Sequence, residues 1–234
     1  MQIALITGAS KGFGLALATS LVEDGWSVVI DGRDSTTVDE AVRTLSAVSG
    51  PQTVLGIAGD VADPAHRAAL VEAATALGEL DLLVNNASTL GPSPMPGLAD
   101  YPLDEFEHVV NVNVVAPLAL VQATLTMLRS NQGTVINVTS DAAVEGYQGW
   151  GGYGSSKAAL EQLSNVLAAE EDSVRVYWFD PGDMRTAMHQ AAFPGEDISD
   201  RPLPETVVPA VRRLLGTSPP SGRFRAFELL DVTS

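Results

Sequence analysis

No cysteine occurs among the 234 residues, which excludes disulfides, thiolate metal sites and redox thiols. Basic residues are scarce. Thirteen Lys and Arg face 29 Asp and Glu, giving a formal net charge of −16. That sign argues against nucleic acid and anionic membranes as partners, because both attract the opposite charge. No run approaches the roughly 18 uninterrupted apolar residues of a membrane span, and the opening residues 1–8 show neither a basic leader nor a long apolar stretch. The expected compartment is the cytoplasm. What remains is ordinary: 45% hydrophobic and 18% charged residues, in a chain long enough for a sizeable core.

Lysine is the rarest charged residue, at Lys11 and Lys157 only, beside eleven arginines. Lys157 lies four residues after Tyr153 in Tyr153-Gly154-Ser155-Ser156-Lys157, so on a helix the two side chains share one face. An ammonium beside a phenol favours the phenolate and lowers a pKa that is ordinarily about 10. Tyr153 is therefore a candidate proton donor or acceptor. Where the chain otherwise uses arginine, a compact point charge fits a site that a planar guanidinium does not.

Apolar runs at Ile3–Ile6, Ser27–Ile30, Val54–Ala58, Leu80–Val84, Thr134–Val138, Val174–Phe179 and Arg223–Leu229 read as strands. Helical patterns lie between them. The longest runs from about Leu103 to Arg129, with Pro117 expected to kink it. The alternation predicts one doubly wound α/β domain over residues 1–234, a Rossmann-type fold with a mainly parallel, seven-stranded sheet. Segment 89–102 and segment 183–204 read as loops. The first strand ends in Gly8-Ala9-Ser10-Lys11-Gly12-Phe13-Gly14, ahead of a helix. Such a turn sets backbone N–H groups and a positive helix end against a phosphate. Gly8–Gly14, Gly32–Arg33, Asp60, Asn85–Ala87, Ser140 and Pro181–Gly182 all come after strands, so they gather on one edge of the sheet.

These motifs, in this order, resemble the short-chain dehydrogenase/reductase family over nearly the whole chain. Thr7 to Gly14 is similar to that family's cofactor turn, Asn85-Asn86-Ala87 to its fourth-strand motif, and Tyr153 with Lys157 to its active-site pair. Ser140, thirteen residues before Tyr153, stands where the family has its catalytic serine, and Asn113 matches the catalytic asparagine. Pro181-Gly182 with Thr186 resembles the segment at the nicotinamide end. The resemblance implies hydride transfer between a nicotinamide and a carbonyl or secondary alcohol. In it Tyr153 moves the proton, Ser140 stabilises the developing oxyanion, Lys157 lowers the tyrosine pKa and binds ribose, and Asn113 helps hold a relay water. It also implies a homodimer or homotetramer and a substrate lid at 183–204. Ser88 departs from the pattern, where glycine is usual.

Cofactor choice rests on the end of the second strand. The acid that would bind a ribose 2′-hydroxyl is replaced by Gly32, with the basic Arg33 next to it and Lys11 also in reach. Both cations favour NADP(H); Asp31, one residue early and expected to point away, leaves NAD(H) as the alternative. Asp60 and Val61 are expected to flank the adenine. His66 and His108 read as surface residues, and His189 as a candidate substrate contact. Tyr147, Trp150 and Phe193 are candidates to line the substrate pocket. A non-catalytic dinucleotide-binding protein of the same fold is the competing reading, as is an isomerase or dehydratase that retains its cofactor.

Overall fold

The computed structural model describes residues 2–230; Met1 and residues 231–234, the ends of the expected domain, lie outside it. Seven strands form one sheet: β1 (Ile3–Ile6), β2 (Ser27–Gly32), β3 (Val54–Ala58), β4 (Leu82–Asn85), β5 (Thr134–Val138), β6 (Arg175–Asp180) and β7 (Gly222–Arg225). Their spatial order is β3-β2-β1-β4-β5-β6-β7. Every neighbouring pair is parallel. Among the described residues the sheet is thus entirely rather than mainly parallel. That agrees with strands that are continuous apolar runs, because crossover helices cover both faces.

Successive side chains alternate between two cores. Ile6, Val28, Val84, Ile136 and Phe179 pack beneath α1 (Gly12–Glu23), α2 (Ser35–Val48) and α8 (Val208–Thr217). Leu5, Val29, Leu83, Val135 and Val176 pack beneath α3 (Pro64–Leu77) and α5 (Ala116–Asn131). Asp34 and Asp63 accept from Thr37 and Ala65 N–H at the starts of α2 and α3, so each supplies a cap that the bare helix end lacks. The helix that carries Tyr153 and Lys157 is α6 (Gly151–Glu170).

The long helix is interrupted. α4 (Leu103–Val110) runs into a π-turn over Asn111–Val115 before α5 begins. Pro117 has no N–H to give and its ring crowds the carbonyl four residues back, that of Asn113; the wider turn absorbs both effects. By length and composition, 103–131 would cross a membrane, yet Val109, Leu120, Val121 and Leu128 are buried in the protein. Two expectations fail at the C-terminal end. The expected strand to Leu229 stops at Arg225 and continues as α9 (Ala226–Leu230). Its partner β6 ends at Asp180, and Pro181 cannot extend the ladder. Segment 183–204 is not all loop, since α7 (Ala187–Ala192) forms with Thr186 as its cap.

A buried polar ladder ties the sheet to α6. Asn85 donates to Asn137 Oδ1 at 2.8 Å, Asn137 donates to Ser164 Oγ at 2.8 Å, and Ser164 donates to the Leu160 carbonyl at 2.7 Å. Ser164→Ala leaves the Asn137 amide without an acceptor in a dry interior. Urea unfolding is expected to show a loss of about 1–3 kcal/mol, with an unchanged denaturant slope.

Candidate active site

The strand order reverses between β1 and β4, and the crevice beyond their carboxyl ends is where such sheets bind ligands. A cavity of about 530 Å³ opens there, reaching from Lys11 and Arg33 at one end to Tyr153 and His189 at the other. The glycine turn forms its floor. Gly8 has a φ of +65°, and a Cβ on it would sit 2.8 Å from the Ala87 Cα, so the backbones of the β1 and β4 ends touch. Asn86 fastens them. Its Nδ2 donates to the Thr7 and Gly8 carbonyls at 2.9 and 3.1 Å, and its N–H donates to Thr7 Oγ1 at 3.0 Å. Phe13 turns its ring into the core, 6.0 Å from Phe179; only a margin of it reaches the cavity beside Gly12.

Asp31 is 1% exposed. One carboxylate oxygen accepts from the Gly8 N–H, and the other meets His66 Nε2 at 2.9 Å. Both oxygens are engaged, so a ribose hydroxyl would compete with Gly8 and His66 for Asp31. His66 is therefore not a surface residue. It is buried under Gly59, where a Cβ would strike its ring. At Gly32 a Cβ would lie within 3 Å of the Ser10 side chain, so the position of the discriminating acid is closed by Ser10. Lys11 and Arg33 are exposed on the cavity rim. Asp60 accepts from the Ala62 N–H at 2.8 Å, and Val61 packs on Val112 and Ala116; both line the cavity.

The far end gathers the four residues singled out for chemistry. Tyr153, Lys157 and Ser140 line the cavity. The fourth, Asn113, is fully buried behind it. Its Oδ1 accepts from Ser88 Oγ at 3.1 Å and the Thr89 N–H at 2.9 Å, while Nδ2 donates to the Thr89 carbonyl and to Ser156 Oγ, both at 2.9 Å. Ser140 Oγ donates to Asp141 Oδ1 at 2.9 Å and accepts from the Ala142 N–H. Thr139 points the other way, to Glu161 at 2.8 Å.

The expected electrostatics are reversed. Burial holds the Tyr153 phenol well above its ordinary range; Ser140 and Ser88 bonded to its hydroxyl oppose this, and Asp180 and Asp141 reinforce it. Lys157 is not among these influences. Burial brings its own ammonium down to about 7. Its Nζ donates to the Val138 carbonyl at 2.8 Å and stands 5.5 Å from the Tyr153 ring centre. Spacing places the pair on one face, but spacing carries no information about how dry that face becomes.

Comparison with known proteins agrees with this geometry. Residues 2–197 match the family described as short chain dehydrogenase. The chain belongs to that family. Among relatives, it is 34% identical to mouse (Mus musculus) sepiapterin reductase, over 81% of this chain and 77% of that one. It is 37% identical to serine 3-dehydrogenase of Agrobacterium fabrum (78% and 72%) and 32% identical to benzil reductase of Saccharomyces cerevisiae (81% and 74%). Two solved structures superpose closely. An alcohol dehydrogenase from Thermococcus sibiricus complexed with 5-hydroxy-NADP has a TM-score of 0.86 at 27% identity, covering 96% of this chain and 95% of that chain. A short chain dehydrogenase from Escherichia coli CFT073 complexed with NADPH has a TM-score of 0.88 at 28% identity, covering 96% of each.

In this short-chain dehydrogenase, segment 183–204 covers the far end of the cavity. Pro181, Gly182 and Thr186 line it, and the Thr186 methyl would lie 3.6 Å from a Cβ on Gly12. Asp183 stands 3.7 Å from His189 Nδ1 and 3.6 Å from Arg201 Nε. Trp150 lines the cavity and touches Tyr153, Tyr147 and Phe193, at 5.8, 6.2 and 5.9 Å between ring centres. Of the three expected pocket residues only Trp150 faces the cavity. Tyr147 is exposed and donates to Asp141, and Phe193 backs Trp150 and His189. Sequence reasoning misses the pairing of Asp31 with His66 and the bonds of Ser88; a lone histidine 35 positions from its partner leaves no signal.

Asp31→Ala strands the Gly8 N–H and the His66 ring together. Chemical denaturation is expected to lose about 3 kcal/mol. Lys157 gives a second test. Its folded pKa of about 7 lies below the ordinary 10.5, so between those values the unfolded chain binds more protons and the Lys157 contribution to stability rises with pH. Thermal melts of Lys157→Met from about pH 7 to pH 10 should show that rise removed.

Proposed function

We propose that this oxidoreductase transfers hydride between NADP(H) and a carbonyl or secondary alcohol, with Tyr153 as its general acid and base. The observation that carries the reading is the meeting of Tyr153, Ser140 and Lys157 at one end of a cavity whose other end is a glycine cradle rimmed by Lys11 and Arg33. The cradle fits a dinucleotide, since the cavity floor at Gly8 and Gly12 is bare backbone, and a Cβ on Gly8 or Gly14 would strike Ala87 or Ala9 and push the turn out of shape. Gly12 and Ser10 with Lys11 would hold the phosphates, Asp60 and Val61 the adenine, and Ala87 with Pro181, Gly182 and Thr186 the nicotinamide end. Among the described residues Lys11 and Arg33 are in no ion pair, which suits a 2′-phosphate. Asp31 is spent on Gly8 and His66, which argues against NAD(H). The NADP-bound relatives point the same way.

When bound, the dinucleotide supplies or accepts the hydride. Every proton is handled by the chain. A phenol held above its ordinary pKa keeps its proton at neutral pH and gives it up only as charge develops on the substrate oxygen. Ser140 donates to the same oxygen by giving up its bond to Asp141. Lys157, nearly dry and half-titrated near neutrality, replaces the proton from behind. The Asn113 carbonyl, denied a donor by Pro117, is an acceptor for a relay water. Segment 183–204 acts as the substrate lid, with Trp150 and Leu90 beside the reacting tyrosine as its apolar wall. Exposed Val115, Leu118 and Val166 on α5, its approach and α6 give a face for a homodimer or homotetramer.

Titration of NADPH and NADH with the wild type and Arg33→Ala, then NADPH oxidation across a carbonyl panel, tests this reading. NADPH should bind more tightly and lose about tenfold or more in Arg33→Ala. Tyr153→Phe should keep NADPH affinity while turnover falls by about a thousandfold. Tight NADPH binding without turnover of any carbonyl or alcohol would instead favour a dinucleotide-binding protein.

A further inference from the structure

Arg223 lies on β7, beyond the family match at residues 2–197, and its side chain is only 20% exposed. It reaches three elements at once. Nε donates to Glu161 Oε1 on α6 at 2.9 Å, and one terminal nitrogen donates both to Asp180 Oδ2 at 3.2 Å and to the Ser140 carbonyl at 3.2 Å. Each acceptor has a second task. Glu161 Oε1 also accepts from Thr139, the residue before Ser140. Asp180 Oδ1 accepts from the Gly182 N–H at 3.0 Å, which shapes the turn at the nicotinamide end of the cavity. Glu161 and Asp180 are 13% and 7% exposed.

We infer that Arg223 is a positioning residue for the reaction: one guanidinium sets the backbone of Ser140 and the turn Asp180–Gly182 in register with Tyr153 on α6. The inference rests on the proposed reductase reading. Arginine suits the task because its planar fork holds several acceptors in fixed directions, which an ammonium cannot do. It also balances charge. Asp180 and Asp141 both push the phenol upward, and burial holds Asp180 itself above the ordinary carboxylate range against the pull of Gly182 and Arg223. The charged groups around the phenol are therefore Lys157 from its own helix, Asp141 from the loop after β5 and Asp180 from β6. Arg223 on β7 and Glu161 on α6 stand behind Asp180 and Thr139.

The test measures turnover and the pH profile of carbonyl reduction, in which the phenol must be protonated, for the wild type, Arg223→Met, Arg223→Lys and Asp180→Asn/Arg223→Met, well below each melting temperature. Arg223→Met should lower kcat by about tenfold, equivalent to about 1.4 kcal/mol, with little change in NADPH affinity. It should also move the alkaline limb up by about half a pH unit or more, because Asp180 then acts on the phenol unopposed. The Asp180→Asn/Arg223→Met pair should return the limb toward the wild-type position while kcat stays low. Should Arg223→Met fail to fold, Arg223→Lys decides: it should keep the limb in place and still lose kcat by about threefold or more. A lower melting temperature with wild-type kcat and an unmoved limb would overturn the inference and leave Arg223 a structural residue. A wild type that turns over nothing fails the reductase reading instead.

Discussion

The site depends on a single buried amide. Asn113 is 0% exposed and all four of its hydrogen-bonding positions are met, by Ser88, Thr89 twice and Ser156. A buried amide is costly unless it is satisfied in this way, and then it fixes what it touches. Here it joins the segment after β4 to the helix that bears Tyr153 and Lys157. Because Ser156 also donates to the Tyr153 carbonyl at 2.6 Å, the same network runs into the backbone of Tyr153. The position of the phenol is set by polar bonds, not by apolar packing alone.

Around that anchor the charges are arranged against their ordinary preferences. A lysine is buried with no carboxylate partner among the described residues, and a phenol is held protonated near two aspartates. Neither arrangement favours folding, and both are the kind of perturbation that concentrates at sites of proton transfer. The surrounding scaffold must offset them. Its means are visible in the two dry cores and in the polar ladder from Asn85 to Ser164. The surplus acid of the chain lies largely on the surface, and at the cavity rim Lys11 and Arg33 stand beside Asp34 and Asp60.

Much of this is legible in the sequence where local chemistry forces a residue type. The turn at Gly8 needs a positive φ, strands buried on both faces need unbroken apolar runs, and the serine, tyrosine and lysine keep a fixed spacing. The parallel α/β fold and the convergence of strand ends emerge from these. Contacts between distant segments stay hidden. Nothing around His66 announces that it will meet Asp31, and nothing around Arg223 announces Ser140 or Asp180. The end of β7 misleads because its alternation continues after the neighbouring strand has stopped. The direction of the Tyr153 shift misleads for a similar reason, since desolvation is a property of the packed site.

The π-turn between α4 and α5 has a consequence for the register of the whole element. Each residue advances an α-helix by about 100°, so one extra residue in a single turn changes the phase of α5 relative to α4. Val109 and Leu120 both point into the protein, yet Asn113, lying between them, does so as well. The wide turn keeps a greasy stripe on either side of a polar insert, as π-turns commonly do at functional sites. Removing one residue from 111–115 would straighten the rod and swing the amide away from Ser156. The length of this helix is thereby constrained to the single residue.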